Sequence, residues 1–251
     1  MLVTGGSGYI AAHCIAQLLQ QGFEVRTTVR SANKQEGVRA SIAAAGVSDA
    51  RLSFHIADLT RDDGWDAAMA GCDYVLHVAS PLGVEKPGAD PDAFVAPARD
   101  GTLRVLRAAV NAGVKRVVMT SAAAAARPPQ GSKIVSDETV WSDPNDASFD
   151  AYRRSKVLAE RAAWEFMRSH GGATEFTTVL PAAVFGPVLS RDSWGSVTIV
   201  QRMLEGRPGA LPRLGFWIVD VRDLAALHIL AMSAPQAAGQ RYIASGDFMW
   251  M

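Results

Sequence analysis

Apolar and polar positions along this chain repeat with two alternating periods. Short runs rich in aliphatic and β-branched residues, such as Val25–Val29, Leu52–Ile56 and Arg116–Thr120, read as strands. Between them, apolar residues recur every three or four positions, as on one face of a helix. The pattern predicts further strands over 1–4, 74–78, 175–180 and 240–244. It predicts helices over 9–21, 31–45, 63–69, 91–112 (containing Gly101), 150–169, Val197–Leu204 and 223–232. Strands spaced by helices imply βαβ units with right-handed crossovers. The expected fold is α/β, a Rossmann-type doubly wound parallel sheet, followed by a small C-terminal lobe. No internal repeat or linker interrupts the pattern. The first strand starts at residue 1 and no helix follows 240–244, so further C-terminal sequence is expected in the natural protein.

Composition narrows the class. The chain has 251 residues, of which 49% are hydrophobic and 20% charged, enough for a sizeable core. Lys plus Arg and Asp plus Glu both number 25, and this balance argues against nucleic acid or an anionic membrane as partner. Cys14 and Cys72 form no disulfide framework, which fits the reducing cytoplasm. No apolar run is long enough to span a bilayer, and no signal peptide opens the chain.

The first predicted strand runs into Gly5-Gly6-Ser7-Gly8-Tyr9-Ile10-Ala11. Glycines between a strand and a helix permit a tight turn and close approach of backbone to a pyrophosphate. The helix N-terminus then offers amides and partial positive charge to the phosphates. An ordinary glycine-rich turn is the plainer alternative. The next strand ends on Arg30, where NAD sites carry an acid for the ribose 2′-hydroxyl. An arginine there suits a 2′-phosphate, and Lys34 adds a second cation one helical turn on. NADP(H) is therefore the expected cofactor. Asp58 and Leu59 follow the third strand, where an adenine would lie, although Asp is also a common turn residue.

Tyr152 and Lys156, four residues apart near the start of a long helix, share one face. A phenol titrates near pH 10, too high for proton exchange at neutrality. A nearby ammonium and an oxidised nicotinamide are expected to lower that value, and the same lysine can hold the cofactor ribose. On its own such a pair is common on surface helices. His77 lies on a predicted buried strand and reads as packing. His13, His55, His170 and His228 lack metal-ligand spacing, so no metal is expected. Trp194, Phe216 and Trp217 fall in the expected lobe.

Taken together, these segments resemble the extended short-chain dehydrogenase/reductases, in particular the branch of dihydroflavonol, cinnamoyl-CoA and carbonyl reductases. The resemblance covers nearly the whole chain. It includes 3–11, 28–34, the strand and loop ending Val78-Ala79-Ser80-Pro81, Gly101-Thr102, 112–121, the DETVWSD stretch at 137–143, 152–166, the LPAAVFGP stretch at 180–187 and VDVRDL at 219–224. It implies an NADP-binding domain over 1–180 and mixed lobe segments with returning sheet elements over 181–251. It implies hydride transfer from NADPH to an aldehyde or ketone, reversibly, with Tyr152 as proton donor and Lys156 as its helper. Gly5, Ser7, Gly8, Tyr9, Ile10, Arg30, Lys34, Asp58, Leu59, Val78, Ala79, Ser80, Thr120, Tyr152, Lys156, Pro181 and Val184 would line the cofactor. The partner is a small hydrophobic or aromatic carbonyl compound, and a monomer or homodimer is expected.

The chain departs from the pattern at one point. Where the branch ends this strand Thr-Ser-Ser, it reads Thr120-Ser121-Ala122, so the position of the usual catalytic serine carries no hydroxyl. Ser121, by a bend at the strand end, or Thr120 is the candidate to serve instead; the alternatives are that Tyr152 alone activates the carbonyl or that ordinary ketones are reduced only slowly. Arg127 stands where flavonoid-reducing relatives carry a small polar residue, which argues against a flavonoid substrate. Rivals are a sugar-nucleotide epimerase or dehydratase, a hydroxysteroid dehydrogenase, and a non-catalytic NADP-binding redox sensor.

Overall fold

Consecutive strand residues face opposite sides of a sheet, and the apolar runs fill both sides. Val3, Leu76 and Val118 enter one core, while Leu2, Val75 and Val117 enter the other. The computed structural model describes residues 1–81, 95–190, 194–207, 209 and 213–250. The elements up to the fourth helix are β1 (Leu2–Val3), α1 (Tyr9–Gln20), β2 (Val25–Val29), α2 (Gln35–Ala44), β3 (Leu52–Ile56), α3 (Trp65–Met69), β4 (Tyr74–His77) and α4 (Val95–Asn111). After them come β5 (Arg116–Thr120), α5 (Ala151–His170), β6 (Glu175–Pro181), β7 (Ala183–Phe185), α6 (Val197–Leu204), β8 (Gly215–Asp220), α7 (Val221–Ser233), β9 (Arg241–Ala244) and β10 (Phe248–Trp250).

Seven parallel strands form the main sheet in the order β3-β2-β1-β4-β5-β6-β9. Helices α1, α2 and α7 cover one face and α3, α4 and α5 the other, each with its own core. This is the doubly wound α/β fold the periodicity predicts. The predicted helix over 31–45 divides. Ser31 is extended, Ala32–Lys34 forms a 3-10 turn, and α2 begins at Gln35. Helix α7 starts two residues before its predicted onset, because the Asp220 carboxylate caps it by accepting from Arg222 N at 2.8 Å. Asp150 caps α5 in the same way through Arg153 N at 2.7 Å. Predicted helical residues 91–94 lie outside the described residues.

Three strands were not predicted. β7 pairs parallel with β8, and β8 pairs antiparallel with β10, giving a small second sheet. Its members are short and come from segments far apart in the chain, so no local alternation announces them. Among the described residues, no helix is long and apolar enough to cross a membrane.

Candidate active site

The parallel strands aim their C-terminal ends at one edge, and the strand order reverses between β1 and β4. Ligands of open α/β sheets bind at such a reversal. Thr4 closes it: its backbone N donates to Leu76 O at 3.0 Å, and its hydroxyl accepts from Ala79 N at 3.0 Å. The same hydroxyl meets His77 Nδ1 at 3.0 Å, and His77 Nε2 meets Thr102 Oγ1 of α4 at 3.4 Å. Burial, with a contribution from the Lys156 charge, holds the His77 imidazole down to about 3. The ring is therefore neutral and fastens β1, β4 and α4 together.

The glycine loop follows. Gly5 has φ +72, and a Cβ there would come within 2.9 Å of Ala79 Cβ, so only glycine fits. Gly5 N donates to Thr28 Oγ1 and Gly6 N to Thr28 O, both at 2.9 Å, tying the loop to the end of β2. Gly8 is the N-cap of α1 and no side chain caps this helix. The first-turn amides of Tyr9 and Ile10 are left to a ligand, and exposed Ser7 stands beside them. A cradle closed to side chains but open to an anion fits a dinucleotide pyrophosphate. Tyr9 buries its ring edge-on against His13, and its hydroxyl has no hydrogen-bond partner among the described residues. Burial pushes that phenol up to about 12, with the Asp220 charge adding to it.

Arg30 follows β2 directly and Lys34 ends the 3-10 turn. Both are exposed, and neither has an ion-pair partner among the described residues. Asp58 Oδ1 accepts from the Thr60 amide and hydroxyl, each at 2.8 Å. Those bonds, with the Arg30 charge, hold its carboxyl below the usual range. One oxygen thus builds a turn, and the other has no hydrogen-bond partner among the described residues. Leu59 presses on Gly101 of α4, where an added Cβ would meet Leu59 Cβ at 2.7 Å. Val78, Ala79 and Ser80 leave β4 half-buried on this edge, Pro181 ends β6, and Val184 sits on β7.

Tyr152 and Lys156 stand one turn apart on α5. Lys156 is 4% exposed, and its Nζ donates to Thr120 O at 3.4 Å, at the end of β5. Its ammonium lies 6.0 Å from the Tyr152 ring centroid. Burial lowers Lys156 to about 8, against the opposing pull of the Glu160 charge. Burial raises the Tyr152 phenol above its ordinary value, and the Asp150 charge adds to the rise.

The Ser121 hydroxyl has a partner in the protein interior. It donates to Glu160 Oε2 at 2.6 Å, so its one proton is spent on a carboxylate. Neighbouring Thr120 turns the other way and meets His228 Nε2 at 2.7 Å, while His228 Nδ1 meets Leu224 O at 2.8 Å. Burial holds His228 at about 4 and therefore neutral. Ala122 is extended and half-buried, and Ala123–Ala126 continue as a 3-10 turn. Arg127 stacks over Phe149 at 5.4 Å. Glu160 and Arg241 escaped sequence reasoning. A charge at 160, one turn past Lys156 on the buried stripe that includes Ala159 and Ala163, was the signal to be read.

Strand order, glycine cradle and the Tyr–Lys helix define a Rossmann-type protein. The chain belongs to the NAD dependent epimerase/dehydratase family, whose sequence profile matches residues 1–244. Cinnamoyl-CoA reductase 2 of Arabidopsis thaliana is 36% identical over 247 residues, covering 96% of this chain and 71% of that protein. Tetraketide alpha-pyrone reductase 2 of the same plant is 33% identical over 255 residues, covering 99% of this chain and 78% of that protein. The crystal structure of yeast methylglyoxal/isovaleraldehyde reductase Gre2, complexed with NADPH, matches with a TM-score of 0.88 at 28% identity. It covers 100% of this chain and 79% of that one. The resemblance to the extended short-chain reductases is borne out at the level of family.

Proposed function

We propose that this chain is an NADPH-dependent reductase of small hydrophobic or aromatic aldehydes and ketones, acting reversibly on the corresponding alcohols. The observation that carries this reading is the state of Lys156. Its buried ammonium, one turn from Tyr152, has a single 3.4 Å hydrogen bond among the described residues. An ammonium has three donors, so two are left for the hydroxyls of a nicotinamide ribose. NADPH supplies the hydride when bound. Tyr152 keeps its proton at neutral pH because burial raises its pKa. It donates that proton to the carbonyl oxygen as negative charge grows there, and Lys156 stabilises the phenolate left behind.

Gly5, Ser7, Gly8 and the amides of Tyr9 and Ile10 hold the pyrophosphate, and Arg30 with Lys34 the 2′-phosphate. Asp58 and Leu59 flank the adenine. Val78, Ala79, Ser80, Thr120, Pro181 and Val184 line the nicotinamide half. Cys14 and Cys72 are free and buried, which suits a cytoplasmic enzyme, monomeric or homodimeric.

Two substitutions test the assignment. Arg30→Glu weakens NADPH binding by about a hundredfold, through a lost charge-assisted pair and new repulsion, and NADH by less than about threefold. Fluorescence titration of each reduced cofactor measures this, and equal losses would remove the 2′-phosphate role. Ser121→Ala loses less than about tenfold in kcat, against the roughly 10²–10³ of a lost oxyanion donor. It also lowers the melting temperature by several degrees, because a hydrogen bond to a buried charge is worth about 1.5–3 kcal/mol. A hundredfold fall in kcat would return Ser121 to the chemistry. Failure of wild type to consume NADPH with any of a panel of aromatic aldehydes, despite binding it, sinks the reductase reading.

A further inference from the structure

Glu160 lies one turn beyond Lys156 on the same face of α5 and is fully buried. Its donors come from four elements. Ser121 Oγ reaches it at 2.6 Å from the end of β5, and Thr178 Oγ1 at 2.8 Å from β6. Arg241 Nε reaches it at 2.9 Å from β9, and Trp164 Nε1 at 3.4 Å from α5 itself. Arg241 is anchored in turn. It donates to the carbonyls of Glu138, Val140 and Ala125 at 2.8, 2.7 and 3.1 Å, and its guanidinium lies 3.8 Å over the Trp141 ring. Arg241 and Glu160 thus form a salt bridge at 2.9 Å between side chains that are 6% and 0% exposed.

Stability alone is a poor reason for such a pair, since apolar replacements of buried ion pairs are often as stable. Its surroundings give another. The groups around the Lys156 ammonium are Tyr152 on its own helix, neutral His77 on β4, and neutral His228 on α7, the last acting through Thr120. Arg241 from β9 is engaged with Glu160. Glu160 is therefore the nearby charge that favours the ammonium against burial, which draws Lys156 to about 8.

We propose that Glu160, anchored by Arg241, is a positioning residue that keeps Lys156 in its ammonium form and fixes the end of β5 beside it. This rests on the reductase reading for its effect on turnover, but not for its effect on NADPH binding. The test is Glu160→Gln in the full chain, with kcat for aldehyde reduction and NADPH affinity each followed against pH. The alkaline limb of both profiles is expected to move to lower pH by about one pH unit, with kcat at the acid end within about threefold of wild type.

Glutamine leaves Arg241 buried without its carboxylate and threatens the fold. Glu160→Gln combined with Arg241→Gln restores charge balance at similar size, and the same displaced limb is expected. A wild-type limb in the folded double variant, or in the folded single variant, overturns the proposal. A displaced NADPH-binding limb in a protein without turnover upholds it while removing the reductase reading.

Discussion

Tyr152→Phe lowers kcat for carbonyl reduction by about 10²–10⁴-fold, the usual worth of a positioned proton donor. NADPH affinity falls by less than about tenfold, because one hydroxyl contributes at most a single hydrogen bond to the cofactor. The reason lies in the state of the phenol. Burial and Asp150 raise its pKa, and in the proposed reaction Tyr152 brings its proton to the substrate. No described residue bonds its hydroxyl, which leaves that proton for the substrate. The change removes one oxygen from a half-buried side chain near the start of α5, and the Asp150 cap is untouched. Steady-state kinetics and a cofactor titration on the same preparation check both parts. Retention of more than about a tenth of wild-type kcat would mean that another group protonates the oxygen.

Ala122→Ser is expected to raise kcat by about 10–10²-fold, the reverse of removing an oxyanion donor. Ser121 cannot fill that role while its hydroxyl serves Glu160 at 2.6 Å. Thr120 cannot either, because its hydroxyl is paired with His228. Ala122 follows both in extended backbone, half-buried, so a serine there adds one oxygen without displacing a core side chain. The gain belongs in kcat, since a hydroxyl that bonds the developing oxyanion acts mainly in the transition state. A rise in kcat for ordinary aldehydes, with NADPH affinity unchanged, would show that this chain runs with a weakened oxyanion site. No gain, or a loss, would show that Tyr152 alone sets the charge on the oxygen and that the alanine belongs to the site's shape.

Most of the frame was legible before any coordinates. The runs at 25–29 and 116–120 became strands with unchanged bounds, because their apolar content serves two buried faces at once, and 52–56 kept its bounds as the edge strand paired with β2. The helix spacing of Tyr152 and Lys156 was also legible, since four residues make one turn. The small β7-β8-β10 sheet was not, because its strands pair only after the chain has returned from far away. Nor was the fate of Ser121. Its identity and position are plain in the sequence, but which of two faces it addresses depends on how β5 meets α5.

The sequence by itself determined the alternation of strands and helices, the glycine cradle at Gly5–Gly8, the cations at Arg30 and Lys34, and the Tyr152–Lys156 spacing. These are local: each follows from side-chain type and helical or strand geometry over a few residues. Tertiary structure alone decided the protonation states and the commitments of the polar groups. Burial of Lys156 against Thr120, of His77 and His228 in neutral form, and of Glu160 under Ser121, Thr178 and Arg241 joins residues up to 108 positions apart. Charge in a low-dielectric interior is set by what surrounds it, and those surroundings exist only once the sheet has assembled.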